Sequence, residues 1–393
     1  MQQCEEKFFE CFGHEARYLF SAPGRTELGG NHTDHQHGCV IAAAVDLETL
    51  AWVAENDSYI IRIQSEGYPL CEIDINDLTM RDEEKNSTAA LIRGVAAKMK
   101  NCGAPLKGFD AYCISKVLPG SGLSSSAAFE VLIGTVINHL CSCGKFTPTQ
   151  IAQIGQWAEN VFFGKPSGLM DQMASSLGNI IGIDFNNPAD PLVEKVDFDF
   201  SSCGHALCII DSGAGHADLT DEYAAVPLEM KSVAEYFGKE VLRDVPAAKL
   251  YDNIAEVRKK CGDRAVLRAI HFYNENERAV KQLAALKNND FDSFLCLVRE
   301  SGRSSWELLQ NIVPSGYKEH QEVAFALALA EHLLCGRGAV RVHGGGFAGT
   351  VQAFVPDDML LSFKTSVEKA LGEGSCHVLS IRKDGGILVK ELR

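Results

Sequence analysis

Positive charge is scarce in this chain. Its 393 residues include 37 lysines and arginines against 52 aspartates and glutamates, so the formal net charge is −15. A surface with this excess of negative charge repels nucleic acids and anionic lipids, and we expect neither as a partner. A small anionic substrate is still compatible with the composition, because a local site can be basic inside an acidic protein.

Long apolar runs are absent as well. The longest one near the N-terminus, residues 39–45, is far too short to span a bilayer. The first ten residues are polar and acidic, without the basic start and apolar centre of a signal peptide. We therefore expect a cytoplasmic protein without a membrane partner, acting as a monomer or small homo-oligomer.

The fourteen cysteines include no CxxC pair. Zinc sites and redox disulfides commonly use such closely spaced pairs. Many of the cysteines stand singly in apolar segments, as Cys208 and Cys335 do. We expect most of them to be small buried thiols in a reducing compartment.

The order of predicted elements indicates an α+β fold. Hydrophobic residues make up 46% and charged residues 23%, and the length suggests two domains. Apolar alternation and apolar runs predict strands at 40–54, 59–64, 109–117, 179–185, 206–211, 339–343, 350–355, 377–383 and 387–392. Helical spacing predicts helices at 89–99, 126–140, 149–163 and 360–371, with long helical stretches up to about 336. This mixed order is not strict βαβ alternation, and a polar break at 186–191 places the domains at 1–195 and 196–393.

A glycine- and serine-rich stretch, 119–128, follows a predicted strand and opens a predicted helix. Its glycines allow the backbone to approach an anion, its serines can cap the helix, and a helix start favours phosphate. It lacks the lysine of a Walker loop, and Ser125 stands where a dinucleotide fingerprint needs a third glycine. From the pattern alone, a phosphate site and an ordinary capped helix start both remain open.

A second stretch, 21–35, carries an arginine, acids and histidines in what we predict to be a glycine-rich turn. Such a density of hydrogen-bonding groups suits a polyhydroxy ligand, although a polar surface loop is the plainer alternative. Residues 30–35 also match the HxHxDH pattern of metal hydrolases except at Gly30, where a metal-binding histidine would stand. Losing one ligand weighs heavily against a zinc site.

The third stretch, 341–350, lies between two predicted strands. A tight glycine hairpin would explain part of it. Four glycines at positions 344, 345, 346 and 349 exceed what a turn requires. This surplus suggests that the backbone packs closely against a ligand or another loop.

Taken together, the three stretches resemble the three signature motifs of the galacto-, homoserine, mevalonate and phosphomevalonate kinase superfamily. Residues 21–35 resemble the galactokinase signature GRVNLIGEHTDY, 118–127 resemble LPxGxGLSSSA, and 341–349 resemble RMTGGGFGG. Between them, 158–160 and 168–172 resemble the AEN and CGIMDQ segments of galactokinases. The resemblance extends over the whole chain, with the motifs in the same order.

The resemblance implies a fold and a set of site residues. The expected fold has an N-terminal domain like ribosomal protein S5 domain 2 and a ferredoxin-like C-terminal domain, with the active site between them. Ser126 and Glu159 match the magnesium ligands, Asp171 the catalytic aspartate at the sugar C1 hydroxyl, and Arg25 its partner. The residues matched to ATP phosphate binding are Gly120, Ser121, Gly122, Leu123, Ser124, Ser125 and Ser126. Those matched to sugar binding are Asn31, His32, Asp34, Gly168 and Tyr223.

Two roles remain open for Asp171. It can accept the hydroxyl proton as a general base. An arginine beside it should lower its pKa and weaken it in that role. It would then mainly orient the hydroxyl, while Arg25 stabilises the transferring charge.

The chain departs from the galactokinase pattern within residues 21–35, which we call the sugar motif, and at several positions outside it. Asn31 stands at a usual Glu, and Glu27 at a usual Asn. Further departures are Gly29 for Ile, His35 for Tyr, Ser167 for Cys, Ala348 for Gly, no arginines after Tyr223, and no Trp or Tyr within 86–90. In the family the residue at position 31 would meet the sugar C6 hydroxyl, and a neutral amide there could also accommodate a C6 carboxylate.

The expected function is therefore ATP- and magnesium-dependent phosphorylation of the C1 hydroxyl of galactose. The alternatives are a related sugar 1-kinase acting on galacturonate, an arabinose or an amino sugar, and a catalytically silent sugar sensor that keeps the fold.

Overall fold

The computed structural model describes residues 2–117, 122–165, 167–215 and 219–392. The strands are β1 (Tyr18–Gly29), β2 (Cys39–Glu55), β3 (Ile60–Ser65), β4 (Cys71–Asp74), β5 (Phe109–Ser115), β6 (Ile180–Asp184), β7 (Leu192–Val196), β8 (His205–Asp211), β9 (Ala339–Val342), β10 (Thr350–Pro356), β11 (Cys376–Leu379) and β12 (Ile387–Glu391). The helices are α1 (Gln2–Phe12), α2 (Thr88–Asn101), α3 (Ser125–Ser142), α4 (Pro148–Ala158), α5 (Met170–Leu177), α6 (Thr220–Tyr236), α7 (Ala247–Asp252), α8 (Ile254–Cys261), α9 (Asp263–Lys287), α10 (Phe291–Ser304), α11 (Glu322–Leu334) and α12 (Leu360–Leu371).

An eight-stranded sheet dominates the first half of the chain. Its main path runs β12-β1-β2-β5-β3-β4, and β6 extends from β2 to β7. The pairs are antiparallel except β3 with β5. Side chains of α2, α3 and α4 pack on one face, where Ile92, Val95, Leu132, Val136 and Ile154 join the strand residues in one buried cluster. This packing leaves the start of α3 beside the middle of β1, because α3 contacts that strand directly.

The second half of the chain contains a four-stranded antiparallel sheet in the order β11-β8-β10-β9. Helices α11 and α12 bury apolar side chains against it, among them Val323, Ala326, Phe363 and Val367. Strands β9 and β10 form a hairpin whose connection, 343–349, is the third glycine-rich stretch. Helix α9 contacts β1 and β2 of the first sheet and thus links the two halves of the chain.

The predicted mixture of helices and strands is confirmed as a mixed α/β fold, with local differences. Residues 21–29 were predicted as part of a turn but lie in β1, which pairs with β2 and β12. The turn prediction was wrong because Gly24 and Gly29 suggested a break where close packing needs small residues. Gln282 would lie 2.1 Å from a Cβ at Gly29, and Leu123 O 3.0 Å from one at Gly24.

The cysteine prediction was wrong in one respect. All fourteen thiols are free, but only Cys39, Cys113, Cys141, Cys208 and Cys376 are buried. Of the others, four are partly buried and five are exposed, because apolar sequence neighbours do not determine which face of an element is covered. Within residues 2–117, 122–165, 167–215 and 219–392, no helix combines the length and apolar character needed to cross a bilayer.

Candidate active site

Backbone and side-chain contacts bring the three glycine-rich stretches together. Arg25 on β1 donates its backbone N–H to Leu123 O at 3.0 Å, and its side chain donates to the carbonyl of Gly122. His343, which follows β9, accepts a hydrogen bond from the backbone N–H of Glu27 at 3.2 Å. A Cβ at Gly122 would lie 2.6 Å from Thr350 Oγ1, so the second stretch packs directly on the hairpin of the third.

Asp171 lies at the start of α5 and forms the central ion pair of this site. Its carboxylate receives both arms of the Arg25 guanidinium, at 2.6 Å from Nε and 2.8 Å from the second nitrogen. The side chains are 8% and 23% exposed, so the pair is largely shielded from water. Burial opposes ionisation of Asp171, but the charge and hydrogen bonds of Arg25, the Ser124 hydroxyl and the Lys165 charge together hold the pKa of the carboxyl below its usual range. Asp171 is thus an ionised, well-oriented acceptor and a weak base.

Ser124 completes the hydrogen bonding of Asp171 instead of capping a helix. It precedes α3 with φ 55°, a left-handed conformation uncommon outside glycine, and its hydroxyl donates to Asp171. The prediction that the serines cap this helix is wrong for Ser124, since its side chain makes no capping bond. The backbone N–H groups that open α3 point along the helix axis toward the site. Gly120 and Ser121 of the predicted phosphate loop lie outside the described residues.

Glu159 and Ser126 form the oxygen-rich end of the site. Glu159 is where the α-helical geometry of α4 changes to a π-helical turn, Glu159–Phe163, a local irregularity often found at functional positions. Ser126 Oγ lies 3.0 Å from Glu159 Oε1. A carboxylate and a hydroxyl are hard oxygen donors of the kind that Mg²⁺ accepts when nucleotide phosphates and water supply its other ligands. These two residues therefore fit the predicted ion.

Gln172 ties Glu159 to a second buried carboxyl that the sequence analysis did not identify. Its Nε2 lies 2.9 Å from Glu159 Oε2 and 2.9 Å from Glu130 Oε2. Burial and the nearby Glu159 charge raise the pKa of Glu130 well above its usual range. The raised pKa favours the neutral form of Glu130.

Asp34 and Gly168 meet on another side of Asp171. A Cβ at Gly168 would lie only 1.9 Å from Asp34 Oδ2, so the absence of a side chain there is what allows the carboxylate its position. Burial, reinforced by the charge of Asp171, raises the pKa of Asp34 to about 6. A carboxyl group whose pKa is raised by burial in this way is typical of ligand sites.

His32 and Tyr223 both contact the third glycine-rich stretch. His32 Nε2 lies 3.0 Å from Gly345 O, and Tyr223 donates its hydroxyl to Gly346 O at 2.8 Å. Because a carbonyl only accepts, His32 Nε2 carries the proton. Its Nδ1 then accepts from His35 Nε2 at 3.3 Å. Both nitrogens of His32 thus face protein groups, which disfavours the metal-hydrolase alternative.

No metal-binding cluster supports that alternative either. In the part of the chain that the structure describes, no group of three or more His, Cys, Asp or Glu side chains is arranged to hold a metal ion.

Asn31 is the predicted sugar residue that the structure does not present to a ligand. Its side chain is fully buried. The amide nitrogen donates to Glu27 Oε1 at 3.1 Å and to Gly344 O at 2.7 Å. The amide oxygen accepts from Asn311 at 3.0 Å and Ser305 at 3.3 Å. All of its hydrogen-bonding capacity is used within the protein, so the expected contact with a C6 substituent is not met in this conformation.

The two residues exchanged relative to the family pattern, Glu27 and Asn31, contact each other. The carboxylate that the family carries at position 31 stands here at position 27, where it pairs with the buried guanidinium of Arg341. The exchange thus keeps one carboxylate and one amide in the same place in the fold but reverses their order along the chain.

Helix α9 holds the backbone of the sugar motif, a role that the sequence analysis missed. Glu275 Oε1 accepts from the N–H groups of Gly30 at 3.2 Å and Asn31 at 3.3 Å. His271 Nε2 contacts Asn31 O at 2.9 Å, and Asn276 accepts from the N–H of Cys39 at 2.7 Å. The buried polar positions of α9 were the available signal, but an isolated helix gives no indication of its partner.

Comparisons with known proteins identify the family of this chain. Residues 90–179 match the family described as GHMP kinases N terminal domain, and residues 6–55 match the galactokinase galactose-binding signature. A galactokinase of Actinobacillus pleuropneumoniae is 32% identical over 362 residues, which cover 91% of this chain and 90% of the relative. One from Streptomyces coelicolor is 29% identical and covers 89% and 87%.

The fold is also shared with solved kinases. A Lactococcus lactis galactokinase solved with galactose superposes with a TM-score of 0.84 at 24% identity, covering 99% of both chains. The mevalonate kinase of Methanococcus jannaschii gives 0.65 at 14% identity, covering 93% of this chain and 98% of that one.

The fold and the convergence of the three glycine-rich stretches define a small-molecule kinase of the GHMP type. Within that class, the extent and identity of the sequence match show that this chain belongs to the galactokinase family.

Proposed function

We propose that this protein transfers the γ-phosphoryl group of ATP to the C1 hydroxyl of galactose. The observation that carries the proposal is the shielded ion pair of Arg25 and Asp171, joined by the Ser124 hydroxyl at the start of α3. The site thus combines three groups that the reaction needs: a carboxylate for the acceptor hydroxyl, a cation for the transferring charge and a helix start for the phosphates.

The low pKa of Asp171 favours an orienting role for this residue. Its carboxylate would hold the C1 hydroxyl in line for attack and accept the proton as the bond to phosphorus forms, when the hydroxyl becomes more acidic. Arg25 would hold Asp171 in place and stabilise charge on the transferring group. Asp34 and Gly168 are proposed to position the sugar directly, and His32 and Tyr223 to do so through the carbonyl groups of Gly345 and Gly346 that they bind.

The nucleotide is proposed to lie along the start of α3, with residues 120–126 around its phosphates. Ser126 and Glu159 would hold Mg²⁺, which neutralises phosphate charge when bound. Their placement 3.0 Å apart supports this assignment. Gly122, at φ 70° and packed on Thr350, would let the backbone approach the phosphates closely.

The division into an S5 domain 2-like domain (1–195) and a ferredoxin-like domain (196–393) is likewise a proposal. The separate sheets support it, although β12 from the second half joins the first sheet. A cytoplasmic location and a monomer or small homo-oligomer complete the proposal.

The identity of the sugar is the part of the proposal that needs a direct test. ADP release should be measured with galactose, glucose, galactosamine, N-acetylgalactosamine, arabinose and galacturonate. We expect galactose to give the highest kcat/KM, because Asn31 is enclosed and offers no amide to a C6 carboxylate. A clear preference for galacturonate or arabinose would replace galactose within the same reaction. Absence of sugar-dependent ADP release with every sugar would favour the silent sensor.

A further inference from the structure

Lys165 lies in the connection between the π-helical turn of Glu159 and helix α5, which carries Asp171. Its Nζ is 3.2 Å from Glu159 Oε1, and its side chain is 57% exposed. Burial opposes the ionisation of Asp171, whereas the charges of Arg25 and then Lys165 favour it. The ammonium therefore lies within electrostatic reach of both the proposed metal carboxylate and the proposed acceptor carboxylate.

The two carboxylate oxygens of Glu159 have different hydrogen-bond partners. Oε2 is held by Ser167 at 2.6 Å and by the buried Gln172 at 2.9 Å. Oε1 is shared by Ser126 at 3.0 Å and Lys165 at 3.2 Å. A divalent cation bound by Glu159 and Ser126 would compete with the ammonium for Oε1, because both cations seek the same oxygen and repel each other.

We propose that Lys165 releases Glu159 when magnesium and nucleotide bind and contacts the phosphoryl group that is transferred to the sugar. This inference rests on the proposed kinase function. In that reaction the phosphoryl group must lie between the metal held by Glu159 and the acceptor hydroxyl at Asp171. Lys165 pairs with the first of these carboxylates and lies within electrostatic reach of the second, and its flexible stem and rotatable N–H donors suit a contact with phosphate oxygens.

A purely structural role for Lys165 makes a different prediction. An ion pair whose lysine is more than half exposed contributes little to folding, because water screens it and the side chain loses entropy. Replacing Lys165 should then leave both stability and catalysis nearly unchanged. A large loss of phosphoryl transfer in a stably folded variant therefore distinguishes a phosphate contact from a surface ion pair.

The test compares Lys165→Met and Lys165→Arg with Lys145→Met. Lys145 is exposed beyond the C-terminal end of α3, at the opposite end of that helix from the proposed phosphate site. We expect Lys165→Met to lower kcat by about 10- to 100-fold without a change in galactose KM. Lys165→Arg should recover part of the loss, and Lys145→Met should match the wild type.

A second measurement does not involve turnover. Calorimetry with magnesium and the non-hydrolysable analogue AMP-PNP should show about tenfold weaker binding for Lys165→Met, with galactose binding unchanged. The inference is overturned if either kcat or analogue affinity stays within about twofold of wild type. It is also overturned if galactose affinity falls in parallel. Absence of sugar-dependent ADP release in the wild type would instead overturn the proposed function.

Discussion

At the level of single residues, Asp171 is oriented by its bidentate contact with Arg25 and also carries the negative charge that can accept a proton. Replacing Asp171 with Asn keeps the shape but removes the proton acceptor. We expect kcat to fall by about 10²–10⁴-fold while galactose affinity changes only a few-fold. ADP release and galactose calorimetry test this, with the exposed Asp199→Asn as control. A variant that kept more than a third of the wild-type rate would contradict the assignment.

The raised pKa of Asp34 predicts opposite pH trends for stability and for sugar binding. The folded pKa of about 6 lies above the usual value of 3.8, so the folded state holds a proton that the unfolded state has lost between these pH values. Stability contributed by the protonated group is therefore lost as pH rises from about 4 to 6. Sugar binding to the carboxylate should instead strengthen as pH rises through about 6.

Replacing Asp34 with Asn separates these two trends. We expect the variant to be more stable than the wild type at pH 8, by about 2–3 kcal/mol, and to bind galactose poorly. Thermal unfolding and galactose titrations between pH 5 and 8 measure both effects. Equal stability of the two proteins at pH 8 would mean that folding does not raise the pKa of Asp34.

The contact between Glu27 and Asn31 predicts that their exchange is coupled. Asn31→Glu places a second carboxylate beside Glu27 and removes the donors to Glu27 and Gly344, so we expect a loss of about 2–4 kcal/mol in stability. Glu27→Asn leaves the buried guanidinium of Arg341 without its carboxylate, at a similar cost.

The double exchange should be more stable than the sum of the single effects by more than about 1 kcal/mol. Urea unfolding of the wild type and the three variants forms the required cycle. Strict additivity would mean that the two side chains do not act as a pair, despite their 3.1 Å contact.

At the level of elements, helix α9 is the support of the sugar motif. Glu275→Gln removes the charge that accepts the backbone N–H groups of Gly30 and Asn31. We expect galactose KM to rise at least several-fold and ATP KM to change little, with a stability loss of about 1.5–3 kcal/mol. The matched control is Glu277→Gln, an exposed residue of the same helix whose carboxylate pairs with Lys281 at 3.5 Å. Equal rises of both KM values would contradict a specific support of the sugar motif.

Element prediction from sequence succeeded where apolar residues dominate a long segment. Helix α2 and strand β2 occupy almost the predicted ranges, because both are largely apolar and buried over most of their length. Strand β1 was missed because its residues are buried whether polar or apolar, from Leu19 to Gly29. A strand that is enclosed on both sides and carries polar site residues such as Arg25 shows no alternation of apolar and polar residues.

At the level of the whole molecule, the two halves of the chain depend on each other. Strand β1 pairs with β12, and the sugar motif is bonded to α9. A fragment of residues 1–195 would leave these backbone groups and the apolar surfaces around them uncovered. We expect it to unfold without a cooperative transition and to bind no galactose. Circular dichroism and calorimetry on the fragment test this, and cooperative unfolding with galactose binding would establish an autonomous first domain.

The sequence by itself determined the class of the protein and indicated the residues proposed for its chemical centre. Phosphoryl transfer requires particular groups at particular spacings, such as Arg25, Asp171 and a glycine- and serine-rich helix start. Those requirements survive as short local patterns, so the order of the amino acids is enough to recognise them. The fold places Arg25, Asp171 and Ser124 in mutual contact, although 146 positions separate the first two.

Only the tertiary structure decided how the remaining side chains are used. Asn31 is enclosed by residues more than 270 positions away, among them Ser305 and Asn311. The proposed role of Lys165 follows from its contact with Glu159 Oε1. The role of α9 follows from its hydrogen bonds to the backbone of the sugar motif. Burial and hydrogen bonding depend on which distant segments pack together, and a short sequence pattern does not identify those segments.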